Sequence, residues 1–132
     1  MSFFAEIDAL VAEDPDTETL KPFSDALKAV RGQLQEATLW LMQNGMTAPD
    51  NAGAAATDYL QLFGLTALAK MWRLMAKAAD EKIRAGDADP FYPRKLTVGR
   101  HYIERVLPEA AAHLAKLKTG ATTIMALDAE AF

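Results

Sequence analysis

The chain has 132 residues, which at about 100–200 residues per domain allows one domain and leaves no room for two. Hydrophobic residues make up 51% and charged ones 24%, the balance of a globular protein, and there is no cysteine. That last count removes disulfide scaffolds, thiolate metal sites and cysteine nucleophiles together. A net charge of −4 argues against nucleic acid as a main partner.

The chain reads as helices separated by clear punctuation. It holds 26 alanines, the best helix former, and no stretch of strict apolar–polar alternation rich in β-branched residues, so no strand is expected. Ser2 can cap a short first helix with Phe3, Ile7, Leu10 and Val11 on one side, and Asp14-Pro15-Asp16 ends it. Glu6 and Asp8 interrupt that apolar stretch and no basic residue leads into it, so it does not read as a secretory signal. A second helix spans about Lys21 to Asn44, with Pro22 in its first turn and Asn44-Gly45 as the stop. Its seam of Phe23, Leu27, Val30, Leu34, Ala37 and Leu41 steps by four and three along one face.

The third helix starts within Thr47–Asn51 and runs to about Ala85-Gly86. At 1.5 Å per residue it is about 54 Å long, against about 36–39 Å for its neighbours. It must therefore overhang them or bend, with Gly53 and Gly64 as the candidate bends. Ala56, Leu60, Phe63, Ala67, Met71, Leu74 and Ala78 form its expected core seam. Leu65, Leu68, Trp72 and Met75 make a second apolar stripe about 120° round the helix. Either the first helix or the C-terminal tail covers that stripe, or it is an interface with another domain or subunit.

After a turn at Asp87–Pro93, a fourth helix spans about Arg94 to Thr119, with Pro108 kinking it near Glu104 and Gly120 stopping it. Ala121 to Phe132 is an apolar tail. The fold class is all-α: an antiparallel four-helix up-and-down bundle with a short first helix and three long ones. Its expected core holds Leu27, Val30, Leu34, Leu60, Phe63, Met71, Leu74, Ile103, Leu107 and Leu114.

Chemistry-bearing groups are sparse. His101 lies opposite the apolar seam, and His113 sits on its flank as a surface pair with Glu109. No Glu-x-x-His, no glycine-rich phosphate loop and no Gly-x-Ser-x-Gly elbow occurs. No catalytic, cofactor-binding or metal residue is therefore assigned. No apolar run reaches the 18–20 residues of a membrane span, so a cytoplasmic protein is expected. Residues 1–65 hold ten acidic and three basic side chains, a net of −7, while residues 66–118 hold six and eleven, a net of +5. These charges either pair across the bundle or present a basic side to an anionic partner such as a membrane surface or a nucleotide-bearing ligand.

The ordered set Trp40-Leu41, Tyr59-Leu60-Gln61-Leu62-Phe63-Gly64-Leu65, Met71-Trp72, Phe91-Tyr92, Lys95-Leu96, Tyr102, Leu107-Pro108-Glu109 and the closing Met125–Phe132 resembles a known domain. It is similar to the extra C-terminal domain of bacterial acyl-CoA dehydrogenases of the group acting on 3-methylmercaptopropionyl-CoA. The similarity runs from about Ala37 to Phe132. The resemblance implies a parent enzyme that uses FAD to introduce an α,β double bond into an acyl-CoA thioester. It also implies a glutamate base and flavin-binding segments in a preceding dehydrogenase core, so none of them falls on this numbering. The partner it implies is that core, on the same polypeptide or another subunit, with a homo-oligomer as a further possibility. A stand-alone helical interaction module is the alternative.

Overall fold

The computed structural model describes residues 2–13 and 17–132, all helical or irregular. The expected stop at Asp14-Pro15-Asp16 lies outside the described residues. Helix α1 spans Phe3–Ala12, and Ser2 caps it by accepting a hydrogen bond from the Ala5 N–H at 3.2 Å. Helix α2 spans Lys21–Asn44 with Pro22 in the first turn, where a missing N–H costs nothing. Helix α3 spans Pro49–Arg84 without interruption. Its last turn is exposed, as is every residue from 81 to 90. Gly86, with φ +86°, follows its end in the left-handed conformation that glycine adopts without strain.

The expected fourth helix begins earlier than anticipated and is broken in two. Helix α4 spans Phe91–His101, its first N–H donating to the Asp89 carboxylate at 2.9 Å. A π-helical turn at Tyr102–Val106 follows, closed by the Leu107 N–H donating to the Tyr102 carbonyl at 2.9 Å. Helix α5 then spans Glu109–Leu117. Pro108 explains the break: it has no N–H for the Glu104 carbonyl, and its ring crowds the preceding turn. The tail adds only a single 3₁₀ turn at Ala129–Ala131.

The α2 seam is buried from Phe23 to Ala37, while Leu41 at its end is half-buried. Phe23, Leu27, Val30, Leu34 and Ala37 are all 2% exposed or less. Ile7 and Leu10 of α1, with Leu107, Ala110 and Leu117 at the chain's other end, close the same core, and Ile103 and Leu114 pack against it.

On α3 the expected seam is wrong. Leu60 is 69% exposed, and Phe63, Met71 and Leu74 are exposed as well. The buried face lies on the opposite side and consists of Ala55, Leu62, Leu65, Thr66, Ala69, Arg73, Ala76, Ala79 and Asp80. The physical reason is that this face is small and partly polar, and its polar groups find partners inside. The Thr66 hydroxyl donates to the Leu62 carbonyl at 2.8 Å, and Arg73 Nε donates to Ser24 Oγ at 2.7 Å. Asp80 accepts from the Thr17 hydroxyl at 3.1 Å and pairs with Arg84 at 3.2 Å. Alanines at the remaining positions let α2 and α3 approach closely. The two helices meet at Asn44 with Asn51, Thr38 with Tyr59, and Ser24 with Arg73.

Candidate interface on the outer face of the third helix

The four residues of the expected interface stripe do not stay together. Leu65 is 8% exposed and belongs to the core, its carbonyl accepting the Tyr102 hydroxyl at 2.6 Å. Trp72 is half-buried by its own chain: its ring stacks on Tyr102 at 6.3 Å and lies under Lys95 Nζ at 5.0 Å. It also lies against Gly99 of α4, where an added Cβ would stand 2.9 Å from the ring. Leu68 is 51% exposed and Met75 is half-buried. Those two join the exposed members of the expected seam in one outward face.

Elements on both sides define that face. On one flank α1 is fastened to α3 by the stacked rings of Phe3 and Phe63 at 4.8 Å, by a Lys70–Glu6 ion pair, and by Lys77–Glu13 at 2.7 Å. On the other flank α4 packs through Trp72. Between them Leu60, Gly64, Leu68, Met71, Met75 and Ala78 fall within an arc of about 80° at 100° per residue. No charged residue occurs on that arc from Gly53 to Ala78.

A hollow adjoins each end of the face. Near the C-terminal end of α3, Met75, Ala78, Lys82, Phe91 and Lys95 border about 280 Å³. Near the N-terminal end, Asp50, Gly53, Ala54, Ile124 and Met125 border about 440 Å³. Ile124 and Met125 are both more than 60% exposed.

The titratable groups serve to fasten helices. His113 does not pair with Glu109; its Nδ1 meets Asp58 Oδ1 at 2.8 Å, and Lys116 Nζ adds a contact at 3.2 Å, so α5 is tied to α3. Burial alone would raise the Asp58 carboxyl, but the hydrogen bonds from His113 and Lys116 outweigh it and hold the group below its ordinary value. His101 is exposed. Other pairs across the fold are Asp8–Arg31 at 2.8 Å, which ties α1 to α2, and an ion pair of Glu36 with Lys118, which joins the acidic and basic parts of the chain. Among the described residues no three His, Cys, Asp or Glu side chains converge as a metal site, and no helix is long and apolar enough to cross a membrane.

The sequence reading missed the buried Ser24–Arg73 contact and the Asp58 partners. A seven-residue step through Ala55, Leu62, Ala69 and Ala76, with Thr66, Arg73 and Asp80 in the same register, is the signal that marks the buried face.

A family model described as acetyl-CoA dehydrogenase C-terminal like matches residues 3–128. No curated relative matches the chain.

Proposed function

The chain belongs to the acetyl-CoA dehydrogenase C-terminal-like family, and on that premise we propose that it is an accessory helical domain of an FAD-dependent acyl-CoA dehydrogenase. It acts in domain packing or subunit association and takes no part in the chemistry. The parent reaction is α,β-dehydrogenation of an acyl-CoA thioester, carried out by a dehydrogenase core with its own base and flavin site. The reading takes the chain as one cytoplasmic domain whose helices run up and down in antiparallel order. The descending contact pairs between α2 and α3 support that path.

The observation that carries the proposal is the uncovered outer face of α3. Fully burying a leucine or methionine stabilises by roughly 1.5–3 kcal/mol, so Leu60, Leu68, Met71 and Leu74 in one patch are costly to leave in water. A flavin dinucleotide needs a shaped pocket with polar groups aimed at its ring and pyrophosphate, whereas the hollow by Phe91 is open and mostly apolar, with Lys82, Lys95 and Tyr92 as its polar side chains. No step of the dehydrogenation is therefore placed on this chain.

The test compares the dehydrogenase with and without this domain, and the domain by itself. Flavin absorbance and acyl-CoA-dependent dye reduction are expected wholly in the dehydrogenase core, with removal of the domain lowering thermal stability or changing assembly. Stoichiometric flavin on the isolated 132-residue chain, or a dehydrogenase indifferent to its removal, contradicts the reading.

A further inference from the structure

We propose that the outer face of α3 pairs with the same face of a second copy, antiparallel, about a two-fold axis at the level of Thr66. The proposal rests on the association surface argued above and names its occupant.

The register follows from what borders the face. Asp50 and Lys82 lie equally far from Thr66 along α3, as do Gly53 and Ala79, and Ala54 and Ala78. A two-fold at Thr66 therefore sets the acidic hollow of one copy against the basic hollow of the other. Asp50 then faces Lys82 of the second copy, and the two-fold repeats the contact. Both side chains are exposed, and neither has an ion pair among the described residues. The exposed Ile124 and Met125 beside Asp50 come opposite the apolar hollow beside Lys82, the one feature offering surplus bulk and the other room.

The middle of the face is self-complementary in shape. Gly64 and Leu68 are also equally far from Thr66, so each Leu68 lies over the other copy's Gly64, where nothing stands within 4 Å of a Cβ position. Antiparallel pairing also opposes the two helix dipoles favourably. A face about 39 Å long and one helix wide is smaller than the roughly 800 Å² per partner of a standard interface, so the isolated chains should pair in the micromolar range. Isologous pairing is the commonest way identical chains cover such a patch.

Sedimentation velocity of the 132-residue chain from about 1 to 500 µM tests this. The mass should rise from 14.4 kDa towards twice that value. Asp50→Lys and Lys82→Asp should each weaken pairing about tenfold, since each change creates two like-charge contacts. The combined swap should return the affinity to within about threefold of the starting chain. Leu68→Glu should abolish pairing with the helical circular dichroism retained. The swap keeps the test decisive even where a single variant folds poorly.

A chain that stays monomeric throughout, pairing indifferent to Leu68→Glu, or a swap that fails to rescue overturns the proposal. A monomeric chain whose removal still alters the dehydrogenase overturns the pairing alone. A pairing chain whose removal leaves the dehydrogenase unchanged overturns the accessory reading alone.

Discussion

Gly99 sits where α4 crosses α2 and α3. A Cβ there would lie 2.7 Å from the Phe23 ring and 2.9 Å from the Trp72 ring, and Phe23 is 2% exposed with no room to yield. Gly99→Ala should therefore destabilise by about 1–3 kcal/mol, despite a helix propensity gain of about 1 kcal/mol. Gly32, inside α2 with nothing within 4 Å of its Cβ position, supplies the contrast: Gly32→Ala should stabilise by roughly 0.5–1 kcal/mol. Urea denaturation of the two variants should move in opposite directions; equal shifts would mean that α4 does not approach Phe23 so closely. Tyr102 is a second constrained position. Burial pushes its phenol up to about 12, and its hydroxyl donates to the Leu65 carbonyl. Tyr102→Phe should cost about 1 kcal/mol and remove the last tyrosine step from an ultraviolet pH titration.

The faces of α3 can be separated at the scale of the element. Leu62 is fully buried and Leu60 is 69% exposed, so Leu62→Ala should cost about 2–5 kcal/mol and Leu60→Ala less than about 0.5 kcal/mol. The reverse ranking would restore the seam expected from sequence. That seam failed for a specific reason. In α2 one face is apolar and the other polar, so Phe23 to Ala37 could be placed from spacing alone. In α3 both faces carry apolar residues, and the larger ones point outward while Arg73, Thr66 and Asp80 point inward. A pattern of hydrophobicity selects the wrong face when the inner polar groups are satisfied by partners that sequence does not display. Pro108, by contrast, announced the break between α4 and α5, because its missing N–H acts locally. The Asp58–His113 tie joins α3 to α5 across a long stretch of chain and had no local signal.

That tie also sets an acid limit. The Asp58 carboxyl is held below its ordinary value of 3.8, so its contribution is fully present above about pH 4 and is lost as pH falls through and below that value. Glu6 and Glu13, lowered by their hydrogen bonds from Lys70 and Lys77, act in the same direction. Asp58→Asn should cost about 1 kcal/mol at neutral pH and flatten the stability profile below pH 4. An unchanged acid slope in chemical denaturation would show that Asp58 carries none of it.

At the scale of the whole molecule, Glu6–Lys70, Glu13–Lys77, Glu36–Lys118 and Asp58–Lys116 pair the acidic first half with the basic second half and fasten the helices together. Beside these ties lies an uncharged strip of α3 bracketed by Asp50 and Lys82. The resemblance read from about Ala37 to Phe132 and the match over residues 3–128 place the chain in one family. The uncovered strip supplies the physical reason for such a domain to join something else. The most direct test is methionine oxidation read by mass spectrometry, comparing the dilute chain with the dehydrogenase proposed to carry it. Met71 and Met42, 49% and 62% exposed, should both oxidise readily in the dilute chain. In the intact enzyme Met71 should slow about tenfold relative to Met42. Equal rates for Met71 and Met42 in the intact enzyme would show that the outer face of α3 stays bare, and would contradict the account.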